Sequence, residues 1–236
     1  MEKKFFNVVM LLLASVLLLI VPTSCSDDDD GRVTVPLPSG SGNNDASDDD
    51  NENGEVEYGE MSDSRDGKTY QTVVIGDQEW MAENLFYAPS SGEYWAYNNN
   101  GANARIYGYL YNWETAKNAC PSGWHLPSID EWDILIDHLG GAEVAAAKMK
   151  STSDLWDAPD TNTTNSSGFS GLPGGMRVYV NGMGVYGGLE SEAYFWTASD
   201  NSPKNALTRI LTGSRSSVIG TGFDKKNGMS VRCLKD

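Results

Sequence analysis

An apolar run from Val8 to Val21, broken only by Ser15, confines whatever this chain folds into to its later part. Lys3 and Lys4 precede the run, and the small residues Thr23 and Ser24 follow it. A charged start, a short apolar segment and a small-residue cleavage site make a secretory signal peptide over residues 1–24. As a helix at ~1.5 Å per residue the run reaches about 21 Å, short of the ~30 Å hydrocarbon core of a bilayer. Behind it, Ser26 to Glu60 hold twelve acids against Arg32 alone, among Gly, Ser, Asn and Pro with almost no aromatic residue. Such a composition cannot bury a core, so residues 25–60 are expected to be a disordered, solvated tether. Its span would average roughly 30–35 Å. A cation-binding acidic tract is the other reading of the same residues. The formal charge of −16 falls mostly on this segment, because from Met61 onward 20 acids face 14 bases. An acidic domain on an acidic stalk argues against nucleic acid as a partner.

Cys25, placed directly after the small residues and followed by Ser26-Asp27-Asp28-Asp29-Asp30, resembles a bacterial lipoprotein box. The acidic run is similar to the surface-export signal of Bacteroidetes lipoproteins. The usual Leu three residues before the cysteine is Pro22 here, with Val21 one step earlier. The resemblance implies that the Cys25 thiol carries a diacylglycerol, that the membrane is a partner, and that the chain is anchored in the outer membrane, exposed at the cell surface. Stable anchoring needs two or more acyl chains, and mature lipoproteins of this type carry them. A plain secreted protein whose Cys25 happens to lie near the cleavage site is the alternative.

About 175 residues remain from Met61 to Asp236, enough for one domain with a sizeable core. Thr69 to Ile75 reads as a strand, Gly76-Asp77 as a hairpin turn, and Gln78 to Met81 as the returning strand. Tyr94–Tyr97 and Ile106–Tyr111 are further strand-like runs. Trp113–Ala119 is expected to be a short helix ended by Pro121. Ser128 and Glu131 form a capping box, after which Ile129, Trp132, Leu135, Ile136 and Leu139 fall on one helical face. Ile134 lies off that face. Gly140-Gly141 ends the helix, and Ala142 to Lys150 reads as a weaker one. Beyond a loop-rich stretch, short strands are expected at Met176–Val180, Ala193–Ala198, Ala206–Leu211, Ser216–Ile219 and Met229–Leu234. The order of elements makes the class α+β.

Five motifs carry a family resemblance: Asp66–Leu85, Tyr107–Ala116, Ala119–Trp132, Tyr194–Asp200 and Ser230–Asp236. In this order they resemble the Fibrobacter succinogenes major paralogous domain, common in lipoproteins and without an established activity. More remotely, Trp113, Ala116, Cys120, Gly123 and Leu126, followed by an acid in the next helix, are spaced as in the first helices of C-type lectin domains. Leu126–Trp132 is also similar to a segment of formylglycine-generating enzymes, which share that general fold. The resemblance implies a C-type-lectin-like fold with two short helices and antiparallel strands, and a disulfide from Cys120 to Cys233 near the C-terminus. The cysteine count agrees, since acylation of Cys25 leaves an even pair in an oxidising compartment.

Little in the chain looks catalytic. There is no HExxH, no histidine pair at i, i+4 and no GxSxG, so metal hydrolysis and serine catalysis lack their parts. His125 is expected to be structural and His138 solvated. Glu131 is accounted for as a cap, and Asp130, Asp133 and Asp137 as a solvated stripe. Both cysteines that a formylglycine-generating reaction would use are assigned to the disulfide. The calcium-binding triplets of C-type lectins are missing. Asp63–Gly67 reads as a turn, and Gly171–Gly175 lacks the lysine and hydroxyl of a phosphate loop. No metal or other cofactor is therefore expected. Trp95, Tyr97, Tyr107, Tyr109, Trp156, Tyr179 and Tyr186 are the material for a binding surface or for an ordinary core. Of these, Trp156, Trp95 and Tyr97 are the weak candidates for ligand binding, with Trp156 foremost because it lies in the polar stretch Ser151–Ser167. The expected function is a non-catalytic surface module that binds glycan or protein. A structural subunit of a surface complex is the second reading, and a surface enzyme with the formylglycine-generating-enzyme-like fold is the third.

Overall fold

The structure, a computed structural model, describes residues 56–236. The expected signal peptide, Cys25 and most of the expected tether lie outside the described residues.

Strands β1 (Tyr58–Asp63), β2 (Lys68–Ile75) and β3 (Gln78–Met81) come first, then β4 (Tyr94–Trp95) and a 3₁₀ turn at Tyr97–Asn99. Helix α1 (Gly101–Tyr107), β5 (Leu110–Tyr111), α2 (Trp113–Ala116) and β6 (Trp124–His125) follow. Next are α3 (Ile129–His138) and α4 (Ala142–Met149). The rest is strand: β7 (Gly174–Val180), β8 (Met183–Leu189), β9 (Glu192–Asp200), β10 (Asn205–Thr212), β11 (Val218–Asp224) and β12 (Leu234–Lys235). The class is α+β, with four helices among the described residues where two and a weaker third, now α4, were expected. One sheet has the order β1-β2-β3-β12-β6 and a second β11-β10-β9-β7-β8, while β4 and β5 form a separate pair.

The first hairpin is as expected, with Val73 opposite Trp80 across the Gly76-Asp77 turn. β1 begins three residues earlier than the expected domain boundary at Met61. Tyr58, Gly59 and Glu60 pair with Val73, Thr72 and Gln71. Only Met61 and Asp63 of β1 point inward, so its exposed half has the composition of a tether. The segment expected as a strand from Ile106 is mostly helix. Asn100 caps α1, its side chain accepting from Ala102 N at 3.0 Å, and Ala104 and Tyr107 bury one face. α2 is a single turn capped by Asn112 and stops at Ala116 rather than Ala119.

α3 carries its capping box: Glu131 N donates to Ser128 Oγ at 3.3 Å, and Ser128 N donates to Glu131 Oε2 at 2.7 Å. Trp132, Leu135, Ile136 and Leu139 are buried, whereas Ile134 faces solvent. β8 was not anticipated, because Gly184, Gly187 and Gly188 give it the look of a turn region. Asn181 and Gly182, both at positive φ, close the β7–β8 hairpin as a primed turn does. The expected strand Met229–Leu234 reduces to β12 and isolated bridges, since this buried segment threads between the two five-stranded sheets.

Two hydrophobic clusters fill the interior. Trp80, Trp132, Phe169 and Phe195 centre the first, with Trp80 and Trp132 ring centroids 4.9 Å apart. Met81, Tyr111, Trp196, Met229 and Val231 centre the second. Cys120 and Cys233 are bonded, with an S–S distance of 2.04 Å and Cα atoms 5.8 Å apart, as the lectin-like resemblance implied. Residues 56–236 thus contain a complete core and its covalent link.

Candidate functional site

Trp156, the foremost expected ligand-binding residue, is only 3% exposed, and its Nε1 donates to Gly171 O at 3.2 Å. The polar loop around it folds over the first cluster, and the indole is the apolar foot that holds the loop down. This buried position makes it a core residue and not a binding platform. Tyr97 is also buried, its ring 5.2 Å from that of Tyr186. Trp95 remains half-buried at the surface. Tyr107 is buried. Tyr109 packs between Phe86 and Tyr94, with centroids at 4.8 and 5.0 Å.

Arg177 joins Trp95 to the side of the β7–β8 hairpin that carries Tyr179 and Tyr186. Side chains two apart on a strand share a face, which places Arg177 and Tyr179 together. Register sets Tyr186 opposite Arg177 and Gly184 opposite Tyr179. The indole of Trp95 lies against Gly228, where a Cβ would come within 2.9 Å of Cε3. The Arg177 guanidinium covers that indole, with Cζ 3.9 Å from the ring centroid. On its hairpin side the guanidinium lies over Gly184, where a Cβ would meet Nε at 2.0 Å. Two glycines therefore make room for a flat stack of backbone, indole and guanidinium. Lys226 Nζ lies 4.9 Å from the Tyr179 centroid. Tyr179 N donates to Asn227 Oδ1, and Tyr186 Oη to Asn99 Oδ1, both at 2.9 Å. Asn98 and Asn99 sit at φ of 53° and 54°, the left-handed region in which asparagine is one of the few side chains at ease.

Eight cations stack on aromatic rings in the described residues. Arg65, Lys68, Lys117 and Lys225 also pair with Asp63, Asp66, Glu114 and Asp200. Lys150 and Arg232 donate to buried carbonyls. Of these eight, only the Arg177 and Lys226 side chains have no hydrogen-bond acceptor among the described residues, and both lie against aromatic rings of this face.

Other sites have their groups engaged. A groove of about 750 Å³ beside β1 and β2 includes Glu79. That carboxylate accepts from Thr72 Oγ1 at 3.1 Å and from Lys235 Nζ at 2.6 Å. His125 is held between Asp236 Oδ1, 2.7 Å from Nδ1, and Glu131 Oε1, 2.9 Å from Nε2. With both ring nitrogens occupied it is a clamp joining the C-terminal residue to the capping box, as a structural role requires. His138 is exposed, Asp63 and Arg65 close a turn, and Asp133 pairs with Arg209. Among the described residues, no three His, Cys, Asp or Glu side chains converge to hold a metal ion, and no helix is long and apolar enough to cross a membrane.

Arg177, Lys226, Gly184 and Gly228 were not singled out in the sequence, although one signal was present. Arg177-x-Tyr179 and Gly184-x-Tyr186 alternate about Asn181-Gly182, which is the pattern of a hairpin with one aromatic, cationic face.

No curated protein and no solved structure matches the chain. The Fibrobacter succinogenes major domain matches residues 73–235, which include this face, most of both clusters and the disulfide. With most of its length matched, the chain belongs to the Fibrobacter succinogenes major domain family.

Proposed function

We propose that this protein is an outer-membrane lipoprotein, acylated at Cys25 and exposed at the cell surface, whose domain binds a glycan without catalysis. The domain's arrangement is taken to be C-type-lectin-like: sheets that are antiparallel except where β7 meets β9, a capped α3, and a disulfide from just after α2 to the residue before β12. The observation that carries the binding reading is the stack of Trp95 and Arg177 beside Tyr179 and Tyr186. It offers the Tyr186 ring and the exposed edge of Trp95 for sugar contact, beside donors that the protein itself leaves unused. Residues 25–55 then act as the spacer between bilayer and domain.

Two measurements test this. Replacing Cys25 by Ser should move the protein from the membrane fraction into the medium, and an unchanged distribution counts against acylation. A glycan array probed with residues 26–236 should show binding that is lost in Trp95→Ala. Binding to no glycan sinks the saccharide reading.

A second reading, a subunit of a surface assembly, draws on the β8 edge. Met183 and Val185 are 67% and 54% exposed there, and the strand carries no charge. Uncharged edges of this kind pair readily with other strands. Crosslinking on intact cells should recover a discrete partner if this reading holds.

A further inference from the structure

The face of β7 and β8 can be read for the charge of its ligand, an inference that rests on the saccharide reading above. Arg177 is unusual among the stacked cations. Its guanidinium is immobilised between Trp95 and Gly184, yet its five N–H donors have no acceptor among the described residues. Holding a cation in place without a counter-ion lowers the ordering cost of meeting an external anion, and the planar fork suits the two oxygens of a carboxylate or sulfate. Lys226 adds a second charge over Tyr179. Three acids on adjoining elements are turned to other partners: Asp224 to Lys204, Glu192 to the Tyr194 hydroxyl, and Glu93 to Asn112. The face is also reached by solvent, since Trp95, Arg177, Tyr179 and Tyr186 are each only partly buried. An accessible, ring-bearing, cationic strip suits a chain laid across it better than a small enclosed molecule.

We infer that the ligand is an acidic polysaccharide, with a uronate carboxylate or sulfate ester received by Arg177 and the sugar rings packed on Tyr186 and along the edge of Trp95. Lys226 contributes charge alone.

Titration calorimetry of oxidised residues 26–236 would use four probes: an oligogalacturonate, the same oligomer with its carboxylates reduced to alcohols, a sulfated oligosaccharide of matching length, and an oligoglutamate. The inference expects the uronate, the sulfated sugar or both to bind at least tenfold more tightly than the reduced oligomer, and more weakly as salt rises. Arg177→Gln should remove that tenfold preference, and Arg177→Lys should not restore it. Gly184→Ala keeps the charge but displaces the guanidinium, so it should lose the preference as well. This second variant keeps the test decisive if the first is poorly folded. Equal binding of the reduced and charged oligomers would overturn the acidic-ligand inference and leave the saccharide reading standing. Oligoglutamate binding as tightly as the uronate would also overturn it, as a site for charge alone. Failure of all three saccharides would overturn the acidic-ligand inference, and a blank glycan array besides would overturn the saccharide reading too.

Discussion

Arg232 and Arg177 show how the same side chain serves opposite ends in one molecule. Arg232 is fully buried with no carboxylate partner, and burial pulls its pKa down to about 9, so it stays charged at neutral pH. Its guanidinium donates to Asn84 Oδ1 at 2.7 Å, Met81 O at 3.0 Å, Ser170 O at 2.8 Å and Phe169 O, joining the β3 end to the loop before β7. Arg232→Met should cost about 3 kcal/mol or more, because those acceptors would be left buried without donors. A urea midpoint unchanged by the substitution would disprove that account. Arg177 makes no such bonds and is correspondingly free for a ligand. Nothing local distinguishes the two residues, since Met229–Leu234 and Met176–Val180 both read as short strands. The partners that decide are 62 to 151 residues away in sequence.

At the scale of elements, α3 was the most legible part of the chain, because its cap and its apolar face depend on residues within about three turns. His125 ties that cap to the C-terminus. Partial burial works against its protonation, but the bonds to Asp236 and Glu131 outweigh this and the net pKa lies above 6.5. Burial likewise works against ionised Glu131, and its bonds to Ser128 and His125 bring its pKa below 4.5. The His125 contribution to stability is therefore complete below about pH 6.5 and fades as pH rises through the higher folded value. The Glu131 contribution is complete above about pH 4.5 and fades on acidification. The unfolding temperature should thus fall between pH 6 and pH 9 in the native protein, with a shallower fall in His125→Gln; parallel curves would refute the clamp. β8 and α1 were the illegible elements. Three glycines hid the first, and β-branched and aromatic residues around Ile106 masked a helix set by an asparagine cap.

For the whole molecule, the Cys120–Cys233 bond closes a separation of 113 residues across α3, α4 and the second sheet. On the chain-entropy estimate such a loop stabilises by roughly 4–5 kcal/mol. Cys120→Ala/Cys233→Ala, or reduction under native conditions, should lower the denaturation midpoint accordingly. A midpoint that ignores reductant would mean the two clusters hold the fold unaided. The N-terminal boundary also belongs to this scale. β1 joins the sheet from Tyr58, so a chain cut at Met61 loses half of an edge strand.

Class, family, the capped helix, the first hairpin and the cysteine pairing were all available from the linear order of residues. They rest on short-range periodicity, on local capping chemistry and on motifs whose spacing survives in one dimension. Which aromatics face outward was decided only in three dimensions. Trp156 sits in polar sequence yet is buried, while Trp95 and Tyr186, 91 residues apart, share a surface because a 3₁₀ turn and a hairpin bring them together. Burial is a property of the packed chain, set by contacts distant in sequence, and no window along the sequence contains it.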